Sequence, residues 1–99
     1  MKWTNWKGSS VLYKLVFTKN AAKEYADLYR RNRAIFKRVR AALLFIMQDP
    51  SIGKPMKFDL KGTWSYRVGM YRILYTVERA VLKIYVIDIG HRREVYRRP

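Results

Sequence analysis

The chain has 99 residues, which is the length of a single domain. Its 22 Lys and Arg residues against 7 Asp and Glu give a formal net charge of +15, yet 49% of the residues are hydrophobic, which excludes a disordered chain. Because cysteine is absent, a disulfide scaffold, a thiol nucleophile and cysteine-based metal centres are excluded, and a single histidine excludes a multi-histidine metal cluster. The sequence has neither the run of roughly 20 apolar residues that a transmembrane helix needs nor the apolar core of a signal peptide, so we expect a cytoplasmic location.

The positive charge is spread along the whole chain. Residues 1–50 carry 11 basic and 3 acidic side chains, and residues 51–99 carry 11 and 4. The basicity therefore belongs to the folded surface, and a polyanionic partner would relieve its self-repulsion. Nucleic acid is the first candidate, with an acidic protein and an anionic membrane surface as the alternatives.

The N-terminal half predicts a strand followed by a helical hairpin. Residues 11–17 are aromatic and β-branched, which is typical of a strand. Thr18 is a residue type that often begins a helix, and apolar residues at helical spacing follow it. A polar break at 30–33 separates this helix from a second one, which ends at Asp49-Pro50 because the residue before proline avoids the helical conformation.

The C-terminal half predicts three strands after a loop. Residues 50–63 are rich in Pro, Gly and Lys, while 64–68, 70–77 and 81–89 are predicted strands, the last of them apolar on both faces as in a central strand. This order predicts an α+β fold: an N-terminal strand, a helical hairpin and a three-stranded antiparallel meander. The result is a four-stranded sheet with two helices packed on one face.

The first ten residues stand apart from this pattern. Residues 1–10 are polar and are predicted to form an N-terminal arm, and 11–99 to form one domain. Trp3 and Trp6 are unusual in such an arm, and we expect them to anchor it to the domain rather than to stack on a base.

Two arginines are predicted to face each other across a hairpin. If Gly69-Met70 is a two-residue turn with glycine first, Arg67 and Arg72 are cross-strand partners on one face of the sheet. Like charges directly opposite each other are destabilising, so the pair makes sense as a fork for a phosphate group. The alternative is that each side chain turns away or pairs with a carboxylate such as Asp88 or Glu94.

A second cluster of polar side chains begins where the last strand ends. Gly90 permits a sharp exit and the close approach of a ligand. His91 is a candidate acid or base, because histidine is the side-chain type that exchanges a proton near neutral pH, the alternative being a solvated loop residue. Tyr96 supplies a phenol and a stacking face.

Two segments, LKGTWSYRVGMYRILY at 60–75 and YVIDIGHRREVY at 85–96, resemble the RelE/ParE superfamily, the toxins of bacterial and archaeal toxin–antitoxin pairs. The resemblance covers about residues 11–96. It implies the fold predicted above and an endoribonuclease that cuts mRNA on the ribosome without a cofactor.

The resemblance also assigns residues. Arg72 lies at the family's phosphate-binding arginine, Arg92 follows the Gly-x pair, Tyr96 is the C-terminal tyrosine, and Arg67 occupies a basic position. Ser65 departs from the pattern, because a lysine often stands there, so either His91 or Lys61 compensates or the activity is weaker. The expected catalytic set is Arg67, Arg72, His91, Arg92 and Tyr96, with ribosomal RNA contacts at Lys54, Lys57, Lys61 and Arg93.

The implied chemistry is attack by the RNA 2′-hydroxyl on the adjacent phosphate, with His91 and Tyr96 as alternative bases. The expected partners are mRNA, the ribosome and an acidic antitoxin, with no membrane, no metal and no small-molecule cofactor. The rival interpretations are a gyrase inhibitor of the ParE branch, which as a rule lacks the Arg92–Tyr96 pair, and an RNA-binding domain without catalysis.

Overall fold

The computed structural model describes residues 12–91. In chain order these form β1 (Lys14–Phe17), α1 (Lys19–Arg31), α2 (Arg33–Gln48), β2 (Lys54–Pro55), β3 (Trp64–Val68), β4 (Tyr71–Glu78) and β5 (Lys83–His91). The predictions for Trp3, Trp6, Arg92, Arg93 and Tyr96 concern positions outside the described residues.

Short polar side chains set the ends of the helical hairpin. The Thr18 hydroxyl accepts a hydrogen bond from the backbone N–H of Ala21 at 3.1 Å, which caps α1 as expected. Asn32 ends α1 and also caps α2, since its side-chain oxygen accepts from the N–H of Ile35 at 3.1 Å. The second helix ends before Asp49, whose carboxylate accepts from the backbone N–H of Ser51 and so begins a 3-10 turn at Pro50–Ile52.

The strands form one mixed sheet in the order β1-β5-β4-β3-β2. β1 pairs in parallel with β5, which therefore has a neighbour on each side, and this explains why β5 is apolar on both faces. The predicted class is confirmed, but the described residues form a sheet of five strands rather than four. The added strand, β2, lies in the predicted loop, and two residues that include a proline give no strand pattern.

The boundaries of the last strand also differ from the prediction. Residues Arg79–Val81 form a 3-10 turn, and β5 begins at Lys83 and continues through Gly90 to His91. Gly90 is therefore a strand residue opposite Arg72, and the predicted sharp exit at this glycine is wrong. The sequence misled here because glycine is usually depleted in strands.

The core lies between the sheet and the helical hairpin. Apolar residues of both helices pack against one face of β3, β4 and β5, and the fully buried members include Leu28, Val39, Ile46, Ile73, Tyr75, Ile84, Val86 and Ile89. Trp64, Tyr66 and Tyr71 cover the edge of this core. Within residues 12–91, no helix is long and apolar enough to cross a membrane.

Candidate active site

The β3–β4 hairpin brings the two arginines together as predicted. Gly69 takes a φ of +60° while Met70 keeps a negative φ, the pattern of a turn with glycine at its first central position. Arg67 is consequently the register partner of Arg72.

These arginines lie on the sheet face that is turned away from the helices, which we call the far face. Side chains alternate along a strand, and Tyr66 and Val68 pack toward the helices, so Ser65 and Arg67 point the other way. In β4 the same alternation places Arg72 on the far face, opposite Arg67.

Arg72 is held by its neighbour on β3. It is half-buried, and its Nη1 donates a hydrogen bond to the Ser65 hydroxyl at 2.9 Å. Ser65 is itself buried. The serine that departs from the family's pattern therefore orients a guanidinium, whereas Arg67 extends into solvent.

A shallow depression of about 370 Å³ opens beside the pair. It is lined by Ile52, Lys54, Ser65, Tyr66, Arg67 and Arg72. Among the lining residues that lie within 12–91, three side chains are cationic and none is acidic. Guanidinium and ammonium groups arranged in this way suit a phosphate group, because both donate charge-assisted hydrogen bonds to its oxygens.

The carboxylate of Asp88 is buried on the far face, beside the row of register partners that contains Arg67 and Arg72. Asp88 is 4% exposed, and it accepts a hydrogen bond from the Asn20 side chain of α1 at 2.7 Å. Its register partner is Leu74, whereas Arg72 is opposite Gly90. Gly90 has no side chain, so the residue of β5 directly opposite Arg72 places no side chain against it.

His91 is not brought together with the arginines. Its register partner is Tyr71, and the two rings meet edge-on with centroids 5.8 Å apart. Tyr71 packs against the helical core, so His91 lies on the helix side of the sheet, across from Arg67 and Arg72. A β-bulge explains this. Leu74 pairs with Asp88 and Tyr75 with Val86, so Ile87 is an extra residue in β5. The residues on the helix side therefore change from Ile84 and Val86 to Ile89 and His91.

The three loop lysines fall into two groups. Lys54 is in β2 and lines the depression. Lys57 and Lys61 are exposed between β2 and β3 and do not belong to its lining. Nothing in the sequence separates them, since the difference depends on which of them joins the edge of the sheet.

Arg38 is a basic residue near the hairpin that the sequence interpretation missed. A Cβ placed on Gly69 would lie 3.4 Å from Arg38 Nη1, so this α2 side chain reaches the turn. Arg38 also lines a second depression, of about 250 Å³, with Phe45, Tyr66 and Arg67. In the sequence, Arg38 is one of several basic residues of α2, and no pattern distinguishes it from the others.

A buried tyrosine fixes the segment that precedes Lys54. The Tyr75 hydroxyl donates to the backbone oxygen of Pro50 at 2.6 Å and accepts from the N–H of Gly53 at 3.1 Å. Burial raises the pKa of Tyr75 to about 12, so the phenol stays neutral as a structural donor. Among residues 12–91, no group of three or more His, Cys, Asp or Glu is placed to hold a metal ion.

Comparison with known proteins supports the resemblance seen in the sequence. Residues 15–96 match the family described as the ParE toxin of the type II toxin–antitoxin system. Toxin RelG of Mycobacterium tuberculosis is 32% identical over 87% of this chain and 98% of its own length. Toxin YoeB of Synechocystis is 32% identical over 65% of this chain and 80% of its own length.

Solved structures agree with these matches. The RelBE2 toxin–antitoxin complex of Mycobacterium tuberculosis superimposes with a TM-score of 0.71 at 30% identity, covering 83% of this chain and 93% of that one. A YoeB/ParE toxin from Agrobacterium tumefaciens gives 0.73 at 24% identity, covering 79% and 96%, and supports the fold alone. The hairpin arginines, the mixed sheet and a family match over most of the chain together establish that this protein belongs to the ParE toxin family of type II toxin–antitoxin systems, within the RelE/ParE superfamily.

Proposed function

We propose that this protein is an endoribonuclease toxin that stops translation by cutting mRNA on the ribosome. The observation that carries the proposal is the depression on the far face, where Lys54, Arg67 and Arg72 supply three cationic groups and no other residue of the described part of the chain adds an acidic one to the lining. Like charges directly opposite each other on neighbouring strands destabilise a sheet. A bound phosphate would make the same arrangement favourable.

In the proposed reaction the RNA supplies its own nucleophile. The 2′-oxygen forms a bond to the adjacent phosphorus as its proton passes to a base, and the bond to the 5′-oxygen breaks as that oxygen takes up a proton. Arg67 and Arg72 neutralise the charge that grows on the phosphate oxygens. Arginine holds its proton too tightly to act as the base itself.

Tyr96 is the proposed base, and Arg92 the proposed partner of the leaving group. Both assignments rest on the family resemblance, since these residues lie outside the described part of the chain. The position of His91 beside Tyr71, on the helix side of the sheet, favours Tyr96 over His91. Lys57, Lys61 and Arg93 are proposed contacts to ribosomal RNA.

The test is cleavage of mRNA on programmed ribosomes, with the cut ends mapped by primer extension. Removing one transition-state charge partner typically costs about 10²–10³ in rate, so Arg72→Ala should lower the single-turnover rate by that factor. Arg31→Ala, which removes the same charge from the end of α1, is the matched control and should cut at the wild-type rate. Normal cleavage by a folded Arg72→Ala protein would remove the role assigned to this residue.

A gyrase inhibitor is the second candidate, because the matching family is described by its ParE member. A supercoiling assay with purified gyrase separates the two functions. We expect ribosome-dependent cuts in mRNA and no loss of supercoiling. Inhibited gyrase together with intact mRNA would favour the second function.

We also propose a cognate acidic antitoxin as the protein partner. Related solved structures are toxin–antitoxin complexes, and a net charge of +15 favours an acidic chain. Co-expression with the product of a short acidic reading frame next to this gene should restore growth and give a complex that weakens with salt. Growth that stays inhibited would exclude that reading frame.

A further inference from the structure

Lys54 differs from the other loop lysines because it is built into the sheet. It is the register partner of Ser65, and directly opposed residues in antiparallel strands have their side chains on the same face. Ser65 is the residue that accepts the hydrogen bond from Arg72. The Lys54 side chain therefore starts about 5 Å from the serine that orients the phosphate-binding arginine.

The strand that carries Lys54 is too short to hold this position by itself. β2 has two residues and makes one edge of the sheet, paired only with β3. Isolated pairings of this length are marginal in water. Another contact must fix where Lys54 enters the far face.

Tyr75 supplies that contact from the opposite side of the sheet. Its side chain is fully buried, and its ring stacks on Trp64 with centroids 6.4 Å apart. Through its bonds to Pro50 and Gly53, the hydroxyl ties down both ends of the turn that leads into β2. The residue after Gly53 is Lys54.

The fit at Gly53 leaves no room for a side chain. A Cβ at this position would collide with the Tyr75 hydroxyl and would lie 3.1 Å from the backbone oxygen of Ser65. Gly53 has a φ of −78°, which any residue adopts, so the restriction is one of space alone. The turn is pressed directly against the tyrosine and against β3.

We propose that Lys54 is a catalytic residue, whose ammonium group donates hydrogen bonds to the scissile phosphate, and that Tyr75 is a positioning residue that acts through Lys54. This inference rests on the proposed ribonuclease function. In the reaction the ammonium keeps its proton and stabilises the charge on a non-bridging oxygen. Arg72, Arg67 and Lys54 then contact the phosphate from three neighbouring strands.

The experiment compares Lys54→Ala, Tyr75→Phe and the double variant in single-turnover cleavage on programmed ribosomes. We expect Lys54→Ala to lower the rate at saturating ribosomes by about 10²-fold and Tyr75→Phe by about 10-fold through misplacement of the amine. If Tyr75 acts through Lys54, the double variant is no slower than Lys54→Ala. Lys54→Arg should recover part of the rate because the charge is kept.

Two further variants separate position from general damage. Gly53→Ala displaces the turn without removing a polar group, and we expect a loss of rate similar to that of Tyr75→Phe. Lys23→Ala removes an exposed lysine from α1, in the helical layer, and should cut like the wild type. All rates are measured well below the melting temperature of each variant.

The outcomes are distinct. A Lys54→Ala protein with a raised KM and an unchanged maximal rate would make this lysine a ribosome contact and overturn the catalytic assignment. If Tyr75→Phe lowers the cleavage rate by the same factor in the wild-type protein and in the Lys54→Ala variant, the positioning role of Tyr75 is overturned. If the wild-type protein cuts no RNA, the proposed function fails and the inference fails with it, whereas an active wild type with a fully active Lys54→Ala variant refutes the inference alone.

Discussion

The opposed arginines of the hairpin predict that one substitution will raise stability while it lowers activity. Arg67 is exposed and is the direct register partner of Arg72. Two unit charges at the roughly 5 Å spacing of cross-strand Cβ atoms would repel by roughly 0.8 kcal/mol in water, and screening at 0.1 M salt leaves about 0.5 kcal/mol as the upper limit for these long side chains. Arg67→Gln should therefore raise the free energy of unfolding by up to about 0.5 kcal/mol, or the melting temperature by up to about 2–4 °C.

The assay is urea unfolding of four proteins: wild type, Arg67→Gln, Arg72→Gln and the double variant. Arg72 also donates to Ser65, so its own substitution loses a hydrogen bond, but that loss cancels in the double-mutant cycle. The coupling between the two positions should be repulsive by about 0.2–1 kcal/mol. Arg67→Lys keeps the charge and serves as the control, with no gain in stability expected.

Salt provides the refuting measurement. At 1 M salt the Debye length is about 3 Å, so the stability gained by Arg67→Gln should disappear. A gain that persists at 1 M salt, or an attractive coupling between the positions, would show that repulsion is not the cause. The reasoning that assigns these arginines to a ligand would then lose its premise.

Three more predictions concern the contacts that hold the fold. The folded-state pKa of Tyr75 is raised from 10.0 to about 12, so the neutral phenol stabilises the fold fully below pH 10. The free energy of unfolding should therefore fall as the pH rises from about 10 to 12. In alkaline unfolding curves, Tyr75→Phe should lose that component of the slope. Thr18→Ala removes the cap of α1 together with a 2.8 Å hydrogen bond from the hydroxyl to the backbone oxygen of Ile87. In urea unfolding it should lower the free energy of unfolding by about 1–2 kcal/mol. A decrease of less than about 0.3 kcal/mol would contradict the role of Thr18 as the cap. Gly69→Ala puts a side chain at a φ of +60° and should lower the free energy of unfolding by about 1–2 kcal/mol. Met70→Ala, beside it at a negative φ, should leave the stability nearly unchanged. Equal losses of stability at the two positions would contradict the turn.

The sequence predicted the parts of the candidate site whose geometry is set by residues close together in the chain. The pairing of Arg67 with Arg72 follows from a two-residue turn, and the structure confirms it. His91 was expected beside the arginines, but a bulge at Ile87 in β5 decides which side of the sheet it faces. Strand periodicity is two, so one extra residue in a strand exchanges the two faces for every residue beyond it.

Local patterns of the sequence thus determined the helical hairpin, the order of the main strands and the hairpin turn, because capping, periodicity and turn chemistry act over a few residues. The tertiary structure decided what depends on distant parts of the chain. Tyr75 meets the turn at Pro50 and Gly53, that turn brings Lys54 to the sheet edge, and Ser65 reaches Arg72 from the neighbouring strand. Such contacts join positions that share no spacing rule, since the packing of the whole core sets how closely they approach each other.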